Sequence, residues 1–133
     1  MGITWEEINS VNVKEIDGQH KILLSIINKL DGLRKSNDRV AINDIFRELR
    51  EYVNFHFKTE EKYFDLFAYA GKDSHKTEHS VYIEKINDLE KKYQSGDVAA
   101  IDEIVKFLHN WWIMHINSSD LQYSDCFNDN GLF

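Results

Sequence analysis

Residues 54–64, NFHFKTEEKYF, put His56 and Glu60 four positions apart in a stretch whose apolar rhythm is that of a helix. Four residues turn an α-helix by about 400°, so the two side chains lie about 40° apart on one face, a turn above one another. Ile45, Leu49, Tyr52, Val53 and Phe64 share that face, so an imidazole and a carboxylate are directed into a core. A buried carboxylate needs a partner that offsets its desolvation, and imidazole with carboxylate is a donor set for a transition-metal ion. The segment SHKTEH repeats the four-residue spacing with His75 and His79, on a face that continues into Tyr82, Ile83 and Ile86. MHINSSD adds His115 and Asp120, and DGQH adds His20. His109 stands six residues before His115, about 120° around a helix, and is expected to point elsewhere.

Five imidazoles and two carboxylates are too many donors for one tetrahedral zinc ion. They suit two octahedral ions, and the nitrogen and oxygen mix favours iron. If Glu60 and Asp120 each bridge, and an oxide or hydroxide bridges as well, the donors fill all but one place of two octahedra. One coordination position is then left open for a small molecule. His115 and Asp120 are five apart, which a regular α-helix would separate by about 140°. Both can face the core only if the chain widens or unwinds between them, so a π-type turn or a helix break is predicted there. Ser118 and Ser119 could satisfy backbone groups freed by such a departure.

Holding these side chains together requires several helices. The chain has 133 residues, enough for one domain with a sizeable core, and no proline. Apolar residues recur at three and four rather than two, the pattern of an all-α domain. One helix is predicted over about 19–35, with Leu23, Ile27, Leu30 and Leu33 on a face and Asp17 as its N-cap. A second covers about 41–67. A third runs from near Ser74 through Tyr82, Ile86, Leu89 and Tyr93 to Gly96, and a fourth, capped by Asp97, carries Ile101, Ile104, Val105, Leu108 and Trp111. The short connections SNDR, AYAGKD and QSGD predict an up-down-up-down four-helix bundle over about 17–125, preceded by an arm of residues 1–16 laid against it through Trp5, Val11 and Val13.

The net charge of −7 and the absence of a basic stripe argue against nucleic-acid binding. MGITWEEINS has no apolar signal region and no apolar run is long enough to span a membrane, so a cytoplasmic protein is expected. Cys126 is the only cysteine, which excludes an intrachain disulfide and fits a reducing compartment.

IDGQH at 16–20, HFKTEE at 56–61, HKTEH followed by Tyr82, and FLHNWW leading into HINSSDLQY together resemble the hemerythrins, specifically the single-domain bacterial kind, from Trp5 to Tyr123. The resemblance implies a four-helix bundle around an oxo- or hydroxo-bridged, non-haem di-iron centre that binds dioxygen reversibly, with small anions such as azide as competitors. It implies that His75, His79 and His115 hold one iron and His20 and His56 the other, with Glu60 and Asp120 bridging. Three departures stand out: YAGKDS lacks a proline often found there, position 82 is Tyr where Phe is common, and Trp112 replaces a leucine beside the ligand pocket. Storage, delivery or sensing of dioxygen is the function this implies. A di-iron peroxidase or oxidase, or an enzyme handling nitric oxide, on the same centre is the alternative.

Overall fold

The computed structural model describes residues 3–36 and 38–133; Met1 and Gly2 of the expected arm and Asn37 of the first connection lie outside them. Four long helices make the body: α1 Lys14–Gly32, α2 Arg39–Leu66, α3 Lys72–Gln94 and α4 Ala100–Trp111. Each packs on its chain neighbour, and α1 returns to α4, which closes the up-down-up-down ring. No helix among the described residues is long and apolar enough to cross a membrane.

Local chemistry accounts for the helix ends. The Asp38 carboxylate accepts the Ala41 backbone N–H at 3.0 Å and caps α2. Gly96 takes the left-handed conformation, φ 104°, while the Asp97 N–H closes back on the Lys92 carbonyl, so α3 stops where the sequence predicts. α2 stops without a glycine: Ala68 is itself left-handed, φ 51°, and the Tyr69 N–H reaches the Phe64 carbonyl at 2.9 Å.

Two expected caps are displaced. α1 begins at Lys14, after Val13, so Asp17 lies inside the helix; its carboxylate instead accepts from the Ser10 hydroxyl and the Val11 N–H, fastening the arm to the first turn. Asp97 accepts from the Ala99 N–H at 3.1 Å one turn before α4 rather than at its start. Ile83, expected on the buried face of α3, is 41 % exposed.

The arm contains a short 3-10 turn at Glu7–Asn9 and lies along the bundle. Val11 and Val13 are buried, the Ile3 N–H donates to Asn28 Oδ1 at 2.8 Å, and Trp5 stands edge-on to Trp112, centroids 6.2 Å apart. Beyond α4 the backbone changes winding: Trp112–Ser119 is a π-helix, Asp120–Tyr123 a 3-10 turn and Ser124–Asp129 a last short helix, α5. Its Phe127 joins Val11, Val13, Ile16, Phe64 and Tyr123 in one apolar cluster. The larger cluster, built on Leu23, Leu30, Phe46, Leu49, Leu89, Ile104 and Leu108, fills the other end of the bundle. Along α1, α2 and the fourth helix, the chain passes from one cluster to the other through a layer of polar side chains.

Candidate metal centre

That layer contains His20, His56, Glu60, His75, His79, His115 and Asp120, all buried. α1 contributes His20, α2 contributes His56 and Glu60 one turn apart, and α3 contributes His75 and His79 one turn apart. The π-helix brings in the last two. The Asp120 N–H donates to the His115 carbonyl, the five-residue bond that defines this winding, so residues five apart stack on one face as residues four apart do in an α-helix. Ser119 acts differently from the expectation: its hydroxyl donates to Glu78 Oε1 at 2.8 Å.

The donor atoms fall into two groups that share both carboxylates. Glu60, His75, His79, His115 and Asp120 form one and His20, His56, Glu60 and Asp120 the other, the atoms of each lying within 4.8 Å of one another. Asp120 Oδ1 lies 2.8 Å from His75 Nε2 and 2.9 Å from His115 Nε2, while its Oδ2 lies 3.0 Å from His20 Nε2. Glu60 Oε1 lies 3.0 Å from His79 Nε2, 3.3 Å from His56 Nε2 and 3.7 Å from His75 Nε2. Glu60 Oε2 accepts the Tyr123 hydroxyl.

All of these but the 3.7 Å separation are hydrogen-bonding distances, yet without hydrogen-bonding alignment. The Nε2 atoms of His20, His75, His79 and His115, Glu60 Oε1 and both Asp120 oxygens are buried with no hydrogen-bond partner. So many orphaned polar atoms in one layer would be costly unless something else binds them. Two donors each about 2.1 Å from a metal ion and at right angles are about 3.0 Å apart, and four of the six separations lie between 2.8 and 3.0 Å. The residues present therefore fit metal ions.

Outer partners hold three of the rings with Nδ1 outward and Nε2 inward. His56 Nδ1 faces Gln19 Oε1 at 2.5 Å, His79 Nδ1 faces Glu61 Oε2 at 2.9 Å, and His115 Nδ1 faces Glu78 Oε1 at 3.1 Å. An acceptor there fixes the proton on Nδ1 and leaves the Nε2 lone pair free for a metal. The partners follow one rule: Gln19 on α1 supports α2, Glu61 on α2 supports α3, and Glu78 on α3 supports the fourth helix. Sequence reasoning missed all three and Tyr123. Their one signal is adjacency, since Gln19, Glu61 and Glu78 each sit beside a ligand candidate of their own helix.

Electrostatics describe the metal-free cluster. Burial opposes ionisation of Glu60, but His56, His75 and His79 outweigh it and hold the carboxyl well below its usual range. Burial and Glu60 oppose ionisation of Asp120, and His115 and His20 outweigh them. Burial disfavours charge on His75, yet Asp120 and Glu60 lift it to about 10; His115 is raised in the same way, and burial lowers His56. The raised His75 contributes stability below its unfolded value near 6.5, and this is lost as pH climbs through about 10. Metal-free protein should thus melt about 5 °C or more lower at pH 10.5 than at pH 7. Metal-loaded protein, whose Nε2 atoms carry no protons, should show a smaller drop. Equal drops in calorimetry of the two forms would contradict this cluster electrostatics.

His109 is in neither group, as expected from its phase on the helix. His109→Ala should leave metal content and optical spectrum unchanged; a lost ion in metal analysis would place it among the ligands.

Trp112 is buried 6.5 Å from the His20 ring at 76°, on the side of the smaller donor group. Trp111 lies flat on His115 at 3.9 Å, and Phe57 flat on His79 at 3.7 Å.

A four-helix bundle enclosing a buried histidine and carboxylate cluster able to bind metal is the class that this fold and site define. The model of the hemerythrin HHE cation binding domain matches residues 11–125, and the chain belongs to the hemerythrin family. It is 31 % identical to a bacteriohemerythrin of Methylococcus capsulatus, over 93 % of this chain and 95 % of that one. It is 32 % identical to a bacteriohemerythrin of Clostridium acetobutylicum, over 91 % and 98 %. The crystal structure of a wild-type hemerythrin superposes with a TM-score of 0.85 at 31 % identity, covering 93 % of this chain and 96 % of that one.

Proposed function

We propose that residues 1–133 act as one unit that binds dioxygen reversibly at a di-iron centre, for storage, delivery or sensing, and that the chain is not an enzyme. In this reading His75, His79 and His115 hold one iron, His20 and His56 the other, and Glu60 and Asp120 bridge them. The observation that carries it is the asymmetry of the donor groups: two shared carboxylates, with three histidines on one side and two on the other. With one histidine fewer, the smaller group would leave a coordination position for a small exogenous ligand. When bound, the two irons would supply the electrons that dioxygen binding requires. The chain's own residues orient the donors, through Gln19, Glu61 and Glu78, and exclude water, through Trp111, Trp112 and Phe57. The single cysteine and the acidic net charge accord with a cytoplasmic protein that does not bind nucleic acid.

Iron-loaded protein cycled between oxygen and vacuum tests the reading. Repeated return of the same two optical spectra is expected. Rapid turnover of a reducing substrate under peroxide, with no reversible oxygen spectrum, would replace it with the di-iron peroxidase or oxidase alternative.

A further inference from the structure

Two buried phenols beside the donor layer belong to neither donor group. Tyr52 precedes His56 by one turn of α2, and Tyr82 follows His79 by three residues on α3. The two helices run in opposite directions, so both steps lead to the same end of the bundle, and both rings stand in the layer that roofs the histidines. Tyr52 stacks on the His56 ring, centroids 5.1 Å apart at 18°. Tyr82, 1 % exposed, meets Phe57 edge-on at 5.5 Å and Trp111 at 4.7 Å, the rings that lie flat on His79 and His115.

Neither hydroxyl has a hydrogen-bond partner, although both are buried. Buried tyrosines ordinarily find one, because an unpaired O–H gives up its hydration for nothing. Phenylalanine would fill either place without that penalty. Both phenols are pushed up by burial and keep their protons; for Tyr52 the charge of Glu60, the neighbouring Tyr82 and the charge of Asp120 add to this, so its hydroxyl faces both the carboxylates and Tyr82. Tyr52 also lines a surface groove between α1 and α2 with Ile22, Ile26 and Phe55. A small ligand arriving by that groove meets Tyr52 before His56.

We infer that the Tyr52 and Tyr82 hydroxyls donate hydrogen bonds to the small ligand held beside His20 and His56, and so select for ligands whose outer atoms accept hydrogen bonds, anions such as azide above all. The inference rests on the di-iron reading of the site. A ligand there would be roofed by donors on the α2 and α3 sides and walled by Trp112 at the start of the π-helix. Its occupancy would satisfy both orphaned hydroxyls at once.

Tyr52→Phe, Tyr82→Phe and the double variant test this, with azide as the probe and iron content measured for each. The parent must first carry two irons and bind azide; if it does not, the di-iron reading fails and this inference falls with it. With the parent sound, each single variant at full iron should bind azide about tenfold more weakly, and the stretching band of the bound azide should shift. Azide affinity within about twofold of the parent in all three variants, each with two irons, would overturn the inference. A second readout needs no metal: metal-free Tyr82→Phe should melt at or above the parent's temperature, since no bond is removed. A clearly lower melting temperature would reveal a structural partner for the hydroxyl and overturn its role as a ligand donor.

Discussion

Glu60→Ala should strip the protein of both metal ions, lowering iron from about two per chain to nearly none in metal analysis. Glu60 is fully buried, and its Oε1 lies within 3.7 Å of the Nε2 atoms of His56, His75 and His79, so it belongs to both donor groups. Alanine removes a donor from each of the two donor groups, and so from each ion of the proposed centre, and one of the two negative charges that the layer supplies. It also leaves the Tyr123 hydroxyl without its acceptor. Removing one partner from a buried charge cluster costs about 3–5 kcal/mol, and both donor groups bear that loss because they share Glu60. A variant that still holds two irons with the parent's spectrum would exclude Glu60 from the ligand set. One that keeps a single ion would show that Glu60 serves only one of them.

Trp112→Leu should speed ligand entry with iron content unchanged. The indole fills the space between Trp5 on the arm and the His20 ring, edge-on to both. Leucine leaves a void there, since packed interiors relax only partly around a smaller side chain, at a cost of about 1–3 kcal/mol to the fold. The same void widens the approach to the smaller donor group. Stopped-flow mixing with azide should show association roughly tenfold faster, each such factor being about 1.4 kcal/mol of barrier, and the oxygenated form should oxidise sooner. Trp111→Leu is the control, because Trp111 lies against His115 on the three-histidine side. Equal entry rates for parent and Trp112→Leu, at full iron, would reduce Trp112 to a packing residue.

The helices were legible because each carries a long apolar stripe of one period and the connections are short and polar. The convergence of the polar layer was legible for the same reason, since pairs four apart fix a common face without knowledge of neighbouring helices. The π-helix followed from a conflict of phase: His115 and Asp120 can share a face only if the winding between them changes, and Trp112–Ser119 is wound in that way. What depends on contact between helices was not legible. Gln19 serves His56, Glu61 serves His79 and Glu78 serves His115, and in each case the residue beside it in sequence belongs to a different helix from the ring it holds. Asp17 looked like a cap because it is a short acid before an apolar run. The fully buried Val13 and Ile16 instead draw the helix start back to Lys14. α5 lacks a full amphipathic period, and Phe127 alone anchors it in the cluster around Phe64 and Tyr123.

Anomalous diffraction at the iron edge from crystals of iron-loaded protein tests the central claim most directly. Two peaks per chain are expected, one among His75, His79 and His115 and one beside His20 and His56, with Glu60 and Asp120 reaching both and a position open on the second. A single peak, or a second peak whose neighbours do not include Glu60 and Asp120, would contradict a shared-carboxylate di-iron centre.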